Sequence, residues 1–452
     1  MKEGLDMKTT LMTLAAVGLL TLTFFCNGPA RDNPPQSITL QSKLNTPTIS
    51  SNGGTAYLQL TVATPCVEIP HRLPMNISIV LDRSGSMGDE GKIDYAKAAL
   101  RKLVDQLQSE DVLSIVIYDD IIDVLRPAKR VGTNKYLIKH LIDDIYPRGS
   151  TNLGGGMMEG LRQVERNLNR EYVNRVVLLS DGLANQGITD PLQLDRIARS
   201  YRAKCISLTT MGVGMDYNEN LMVGLAQNGG GNYYFIETPS SLASIMNREF
   251  KTLSTVVAQN ASIELSLGHN VAIRDIIGCE YHAEGDHYVV PVGDLYSNES
   301  REFTVELIIP EGTGSLTVAT GTLRYESNQR WSDRMATAAA TVCYTGDVAL
   351  IEKERDLSVQ AKADVAVSTR TVDHAMKALD DGKNEEAAGL LRQAQHTLSA
   401  SPAASSMGAG GAEIRLQTDK LDSYEKLLKD SSDSRKAKKS IQYENYRTQK
   451  NK

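Results

Sequence analysis

Ile79-Val-Leu-Asp-Arg-Ser-Gly-Ser-Met-Gly88 ends a short apolar run in a carboxylate and two hydroxyls at every second position, Asp82, Ser84 and Ser86. A hard divalent cation takes oxygen ligands in a near-octahedral array, and a loop leaving a strand can turn several short oxygen-bearing side chains toward one point. Two other stretches offer matching groups. Gly149-Ser-Thr-Asn-Leu-Gly-Gly-Gly156 places Thr151 in a glycine-rich turn before a helical pattern, and Val176-Val-Leu-Leu-Ser-Asp-Gly182 places Asp181 at the end of a second apolar strand. The plain alternative is a serine-rich turn whose Asp and Ser side chains start helices, as these residues commonly do.

Around these stretches, residues 74–255 alternate apolar strand-like runs with helical patterns. The strands at Asn76–Leu81, Val112–Tyr118, Val176–Ser180, Cys205–Met211 and Asn232–Phe235 are mostly continuous apolar runs, the pattern of strands covered on both faces. This predicts an α/β fold, a doubly wound and mainly parallel sheet with helices on both sides. Ligands on such sheets bind at the carboxyl ends of strands, where Asp82 and Asp181 fall. Cys205 reads as an interior strand residue, and Tyr118-Asp-Asp120 with Asp123 as a solvated loop after the second strand, with negative charge at the metal-site rim as the alternative.

The combination Asp-x-Ser-x-Ser, then Thr, then Asp, in that order on matching elements, resembles the metal-ion-dependent adhesion site of the von Willebrand factor type A family, over about residues 74–255. The resemblance implies a Rossmann-like domain holding Mg²⁺, or Mn²⁺, through Asp82, Ser84, Ser86, Thr151 and Asp181. It makes Ser84 and Ser86 direct hydroxyl ligands, Thr151 a direct or water-bridged one, and the two aspartates mostly water-mediated. It also implies a partner, protein or other macromolecule, that presents a Glu or Asp carboxylate. Asp181 sits on a loop rim in this reading, so its replacement by Ala is expected to remove the cation and spare the fold.

Residues 35–73 and 257–345 carry alternating segments such as Ala261-Ser-Ile-Glu-Leu-Ser-Leu267 and Arg301-Glu-Phe-Thr-Val-Glu-Leu-Ile-Ile309, which read as antiparallel strands. The first flank holds too few strands to be stable alone. One β-sandwich assembled from both flanks, with the 74–255 domain inserted between them, is therefore expected, with two separate β-units as the alternative. From Asp347 the chain turns helical, and 347–398 reads as a helical hairpin region turning at Asp381-Gly382-Lys383. The segment 399–412 is a flexible linker by composition. A helix and a basic tail follow in 413–452, whose last residues include Arg435, Lys436, Lys438, Lys439, Arg447, Lys450 and Lys452 and read as solvated.

At 452 residues and a formal net charge of −6, well mixed along the body, the chain has room for two or three units and no field suited to nucleic acid. Met7-Lys8 and the apolar run Leu11–Phe25 predict a signal peptide over residues 1–28 and export to periplasm, cell envelope or medium. Cys26 after that run could carry a lipid and associate the protein with a membrane, but Thr23-Phe24-Phe25 lacks the small residues such a site prefers. Export permits a disulfide among Cys66, Cys279 and Cys343. Catalytic signals are thin. His282-Ala-Glu-Gly-Asp-His287 lies in a turn rather than on a helix with zinc-protease spacing, and neither a nucleophile elbow nor a phosphate-binding loop occurs. The expected protein is noncatalytic and adhesion-like. A structural scaffold subunit of an envelope complex, contacting through its helical C-terminus, is the nearest alternative, and a metal-dependent hydrolase a more distant one.

Overall fold

The computed structural model describes residues 37–67, 72–327, 332–430 and 434–450; the predicted signal peptide and Cys26 lie outside these. The chain opens with strands β1 (Thr39–Leu44), β2 (Thr48–Ser50) and β3 (Gly54–Ala63). The α/β region follows as β4 (Met75–Asp82), α1 (Lys92–Gln106), β5 (Val112–Tyr118), β6 (Ile122–Arg130), α2 (Lys135–Asp143), α3 (Leu153–Glu165), β7 (Val173–Ser180), α4 (Pro191–Arg202), β8 (Ser207–Val213), α5 (Glu219–Asn228), β9 (Gly230–Ile236) and α6 (Leu242–Leu253). Strands β10 (Val256–Leu267), β11 (Ala272–Ile277), β12 (His282–Glu284), β13 (His287–Tyr296), β14 (Ser300–Ile309), β15 (Ser315–Ser327) and β16 (Ser332–Thr345) come next. Helices α7 (Val348–Glu354), α8 (Leu357–Asp380), α9 (Asn384–Ser399), α10 (Ala409–Asp430) and α11 (Ser434–Gln449) close the chain. No helix among the described residues is long and apolar enough to cross a membrane.

The α/β sheet runs β6-β5-β4-β7-β8-β9, parallel except for β6. Every residue of β4, β5, β7 and β8 is buried, because α1, α2 and α6 cover one face and α3, α4 and α5 the other. Each such Ile or Leu contributes about 1.5–3 kcal/mol against exposure. Strand β6 went unread in the sequence. Its Ile-Asp-Val-Leu-Arg-Pro-Ala-Lys-Arg composition, with Pro127 and four charges, suits an edge strand that refuses further pairing. Helix α3 sits close on the sheet because a Cβ on Gly160 would stand 2.2 Å from Val80 Cγ2.

The flanks form two facing sheets, β1-β3-β14-β11 and β12-β13-β10-β15-β16-β2, each combining strands from before and after the α/β region. On β3 the alternation is direct: Ala56, Leu58, Leu60 and Val62 point into a core shared with Ile263, Leu265, Val305 and Leu323. Two chain crossings join this sandwich to the α/β region, and the junction is polar. Arg175 of β7, fully buried, reaches Asp294 of β13 at 3.0 Å and Tyr296 Oη at 3.3 Å. Glu249 of α6, also fully buried, accepts from Thr209, Asn232 and Tyr234 at 2.6–2.8 Å. Burial alone would raise Glu249, but Arg175 and these donors outweigh it and hold the carboxyl below its ordinary range.

Three sequence expectations need correction here. Residues 399–412 are not a loose linker: α9 runs to Ser399, α10 begins at Ala409, and Ala403 between them is fully buried with Leu398 and Ile414. Their small residues serve close packing, since a Cβ on Gly410 would stand 3.0 Å from the Leu357 carbonyl. The basic tail is helix α11, docked on the α/β region. Tyr446 is buried in the core under α4 and α5, and its hydroxyl accepts the Tyr233 amide at 3.1 Å on the edge strand β9. Its lysines read as solvated because their counter-charges, Glu219 and Asp380, lie far away in sequence. Third, Cys205 precedes β8 in a turn with φ 64° and is half-buried. Cys205, Cys279 and Cys343 are free thiols, so none of them pairs with Cys66.

Candidate metal centre

Strands β4 and β7 are neighbours in the sheet, so the residues that follow their carboxyl ends meet. Asp82 ends β4, and Asp181 follows Ser180, the last residue of β7. Asp82 Oδ1 accepts the Ser84 amide at 2.8 Å and Oδ2 accepts the Ser180 hydroxyl at 2.8 Å, which fixes the carboxylate and curls the chain back over it. That curl brings Ser84 Oγ and Ser86 Oγ to 3.2 Å from each other, and Ser86 Oγ donates to Asp181 Oδ1 at 2.9 Å.

Thr151 arrives from the other side, just before α3, with Asn152 capping that helix by accepting the Gly155 amide at 2.9 Å. Asn185 holds it by accepting the Thr151 amide at 3.0 Å. A Cβ on Gly182 would stand 3.1 Å from Thr151 Oγ1 and 3.9 Å from Ser86 Oγ, so glycine keeps open the space these hydroxyls share. The structure thus brings together all five residues singled out in the sequence. His282 and His287 instead lie on the paired strands β12 and β13, and no group of three or more His, Cys, Asp or Glu side chains gathers as a metal cage among the described residues.

Three residues of this centre, Lys92, Arg83 and Arg148, were not foreseen, and a fourth, Asp119, falls in the loop that reads as solvated. Lys92, first residue of α1 and buried, sets its ammonium 2.8 Å from Asp181 Oδ2. Asp181 is itself fully buried, so it is not the rim residue the sequence suggested, and Asp181→Ala would strand a buried ammonium. Arg83, Asp119 and Arg148 form a clamp beneath the loops. Buried Asp119 lies 2.8 Å from the Arg83 guanidinium and 2.7 Å from that of Arg148, and accepts the Ile121 amide at 2.6 Å. The turn read as solvated therefore ties the β4 loop to the Thr151 loop, helped by the Arg148 amide donating to the Arg83 carbonyl at 2.7 Å. The acid side chain alone gave no sign of this, since its two arginines sit in separate segments.

Burial pushes the Asp82 carboxyl up to about 6, against the lowering hydrogen bonds from Ser84 and Ser180 and with a further raising contribution from Asp181. A buried acid so disfavoured as an anion is one that a nearby cation would draw back down. The donor set is all oxygen and mostly hydroxyl, with two carboxylates and one fixed ammonium. That chemistry fits a small hard divalent cation, and the space at Gly182 gives it room.

Residues 76–248 match the model of the von Willebrand factor type A domain. Uncharacterized protein YfbK of Escherichia coli (strain K12) is 31% identical over 191 residues, which cover 42% of this chain and 33% of YfbK. Inter-alpha-trypsin inhibitor heavy chain H3 of Rattus norvegicus is 25% identical over 252 residues, 54% of this chain and 28% of the relative. The chain thus spans about a third or less of the length of either relative. Among solved structures, a von Willebrand factor type A protein from Catenulispora acidiphila superposes with a TM-score of 0.72 at 15% identity, over 91% of this chain and 97% of that one. This likeness extends the shared fold to the sandwich and the helices.

Proposed function

Residues 76–248 form a von Willebrand factor type A domain, and from that premise we propose that the chain is a noncatalytic, exported protein that binds a partner macromolecule through a divalent cation, Mg²⁺ or Mn²⁺. Domains of this family often mediate protein binding and adhesion, and many hold a divalent cation. The observation that carries the reading is the convergence of Asp82, Ser84, Ser86, Thr151 and Asp181 at the ends of two adjacent strands, around the space kept by Gly182.

Ser84, Ser86 and Thr151 would supply neutral hydroxyl oxygens, while Asp82 and Asp181 balance charge from fixed positions. Lys92 already offsets one of the two carboxylates. The bound cation would supply an electrophilic position able to accept a carboxylate of the partner, because hydroxyl ligands leave its charge less neutralised than a carboxylate cage does. The chain's own part is orientation: the Arg83–Asp119–Arg148 clamp fixes two of the three loops relative to each other.

Calorimetric titration with Mg²⁺ and Mn²⁺ tests the cation, comparing wild type with Ser86→Ala. Ser86 is only half-buried, so the substitution is expected to abolish measurable cation binding while the chain stays folded, its unfolding midpoint lowered only modestly by the lost hydrogen bond to Asp181. Equal affinity in both proteins defeats the assignment. Partner capture from envelope extract, with Mg²⁺ or with chelator, tests the second step. Capture that survives chelator moves the contact surface to the helical region, as the scaffold alternative holds.

A further inference from the structure

The opposite end of the same sheet holds a cavity of about 470 Å³ between the α/β region and the sandwich. It is bounded by the last turn of α4, the start of β8, and strands β10, β12 and β13, all remote from the strand ends that carry Asp82 and Asp181. Its volume lies within the roughly 300–1,000 Å³ of small-molecule sites, which pair apolar walls with a few convergent polar groups. Ala261, Tyr281, Val289 and Pro291 supply the apolar wall. Arg199, Arg202, Asn228 and Ser262 supply polar groups, with Glu280 and Asp294 also on the lining.

Arg202 is the unusual one. Its guanidinium donates to the Pro291 carbonyl at 2.8 Å and to the Gln227 carbonyl at 3.1 Å, and no carboxylate among the described residues pairs with it. The nearby acids are committed elsewhere, Asp294 to Arg175 at 3.0 Å and Glu280 to Arg199 at 3.3 Å. Burial, and then the neighbouring Arg301, push Arg202 down to about 10, as an under-compensated cation would be. A guanidinium has five N–H donors, so part of this fork has no protein acceptor.

The backbone around the cavity is specialised as well. Two of the five non-glycine residues with positive φ among the described residues line it, Cys205 at 64° and Asn260 at 55°. Asn260 sits where β10 slips register against both β13 and β15, a bulge that takes it out of the ladder. Such conformations are costly and gather where a binding site uses them. Opposite, a side chain on Gly293, itself at φ 87°, would begin 3.8 Å from Arg202 Nη2.

We propose that this cleft binds a small organic anion, with its acid group on the Arg202 guanidinium and its apolar body against Tyr281, Val289 and Pro291. The site is independent of the metal centre and of the function proposed for it.

The test uses two dyes of one shape and different charge, 8-anilinonaphthalene-1-sulfonate and its uncharged counterpart N-phenyl-1-naphthylamine, titrated by fluorescence into the full chain. Wild type should bind the sulfonate saturably. Arg202→Gln should weaken the sulfonate about tenfold, or roughly 1.4 kcal/mol, and leave the uncharged dye unchanged, which also reports that the cavity is intact. Ala203→Trp, at the exposed mouth, should block both dyes. Sulfonate binding that is absent in wild type, or unchanged in both variants, overturns the proposal; equal loss of both dyes in Arg202→Gln overturns the anionic class of ligand.

Discussion

The two ends of the α/β sheet treat buried charge in opposite ways. At the base, Arg175 and Glu249 sit fully buried, Arg175 against Asp294 and Tyr296 of the sandwich and Glu249 among the hydroxyls and amide of its own domain. At the top, the one ammonium pairs with Asp181, and Asp82 is held by the Ser84 amide and the Ser180 hydroxyl. At the base one cation serves both acids, since the Arg175 charge acts to lower Asp294 and Glu249 alike and three neutral donors complete Glu249, and the network fastens two domains. At the top the ammonium reaches Asp181 alone and burial pushes Asp82 up to about 6, so one carboxylate is left without a cation among the described residues, which suits an ion-binding centre better than a structural junction.

Removing the cation of the base should produce the largest effect. Arg175→Met leaves Asp294 buried without its pair and takes from Glu249 the charge that lowers it, at a cost of about 3–5 kcal/mol. A urea titration of the full chain should show the midpoint falling sharply, with no recovery on adding Mg²⁺. A loss below about 1 kcal/mol, the range of an exposed ion pair, would mean that the junction is held by apolar contact and the contrast between the ends is false.

Lys92→Met is the corresponding change at the top, and its outcome should differ in kind. Asp181 keeps the Ser86 hydroxyl but loses its charge partner, so the metal-free protein should lose about 3 kcal/mol. Here a cation can replace the ammonium. Saturating Mg²⁺ should therefore raise the unfolding midpoint of the variant by more than it raises that of wild type, since a ligand bound only to the folded state stabilises by mass action. An equal Mg²⁺ increment in the two proteins would show that Lys92 and the cation do not compete for Asp181.

The same contrast explains what could be read in advance. The top was legible because each loop carries its ligand beside a recognisable apolar strand, as in Leu81-Asp82 and Ser180-Asp181, so the local pattern gives both the residue and its place. Lys92 was missed because a lysine at the start of an amphipathic helix reads as solvated. The base was illegible because Arg175, Glu249 and Asp294 come together only through tertiary packing across 119 residues. For β6 the obstacle was composition: Pro127 and its charges erase the alternation that marks a strand.

Helix α11 adds a third, smaller case that sharpens the comparison, because its Lys438 and Lys439 balance Glu219 and Asp380 one for one. Lys438 reaches Glu219 at 2.5 Å, Lys439 pairs with the same carboxylate, and Lys439 Nζ donates to the Tyr217 carbonyl at 2.6 Å. Burial raises the Glu219 carboxyl, but hydrogen bonds and charge from the two lysines outweigh this and hold it below its ordinary 4.5. A carboxyl with a depressed folded pKa stabilises fully above its unfolded value, and that contribution disappears as pH falls through the folded one. Docking of α11 should therefore be independent of pH from neutrality down to about 4.5 and weaken below it, by roughly 1.5–3 kcal/mol, the scale of hydrogen bonds to a charged group. Hydrogen exchange of the α11 amides at a series of pH values, corrected for the intrinsic rate, measures this. Glu219→Gln should remove the acid-dependent step while raising exchange at neutral pH. If the step persists in that variant, another acid governs the docking; if the helix protects equally at every pH, the buried ring of Tyr446 holds it and the lysines contribute little.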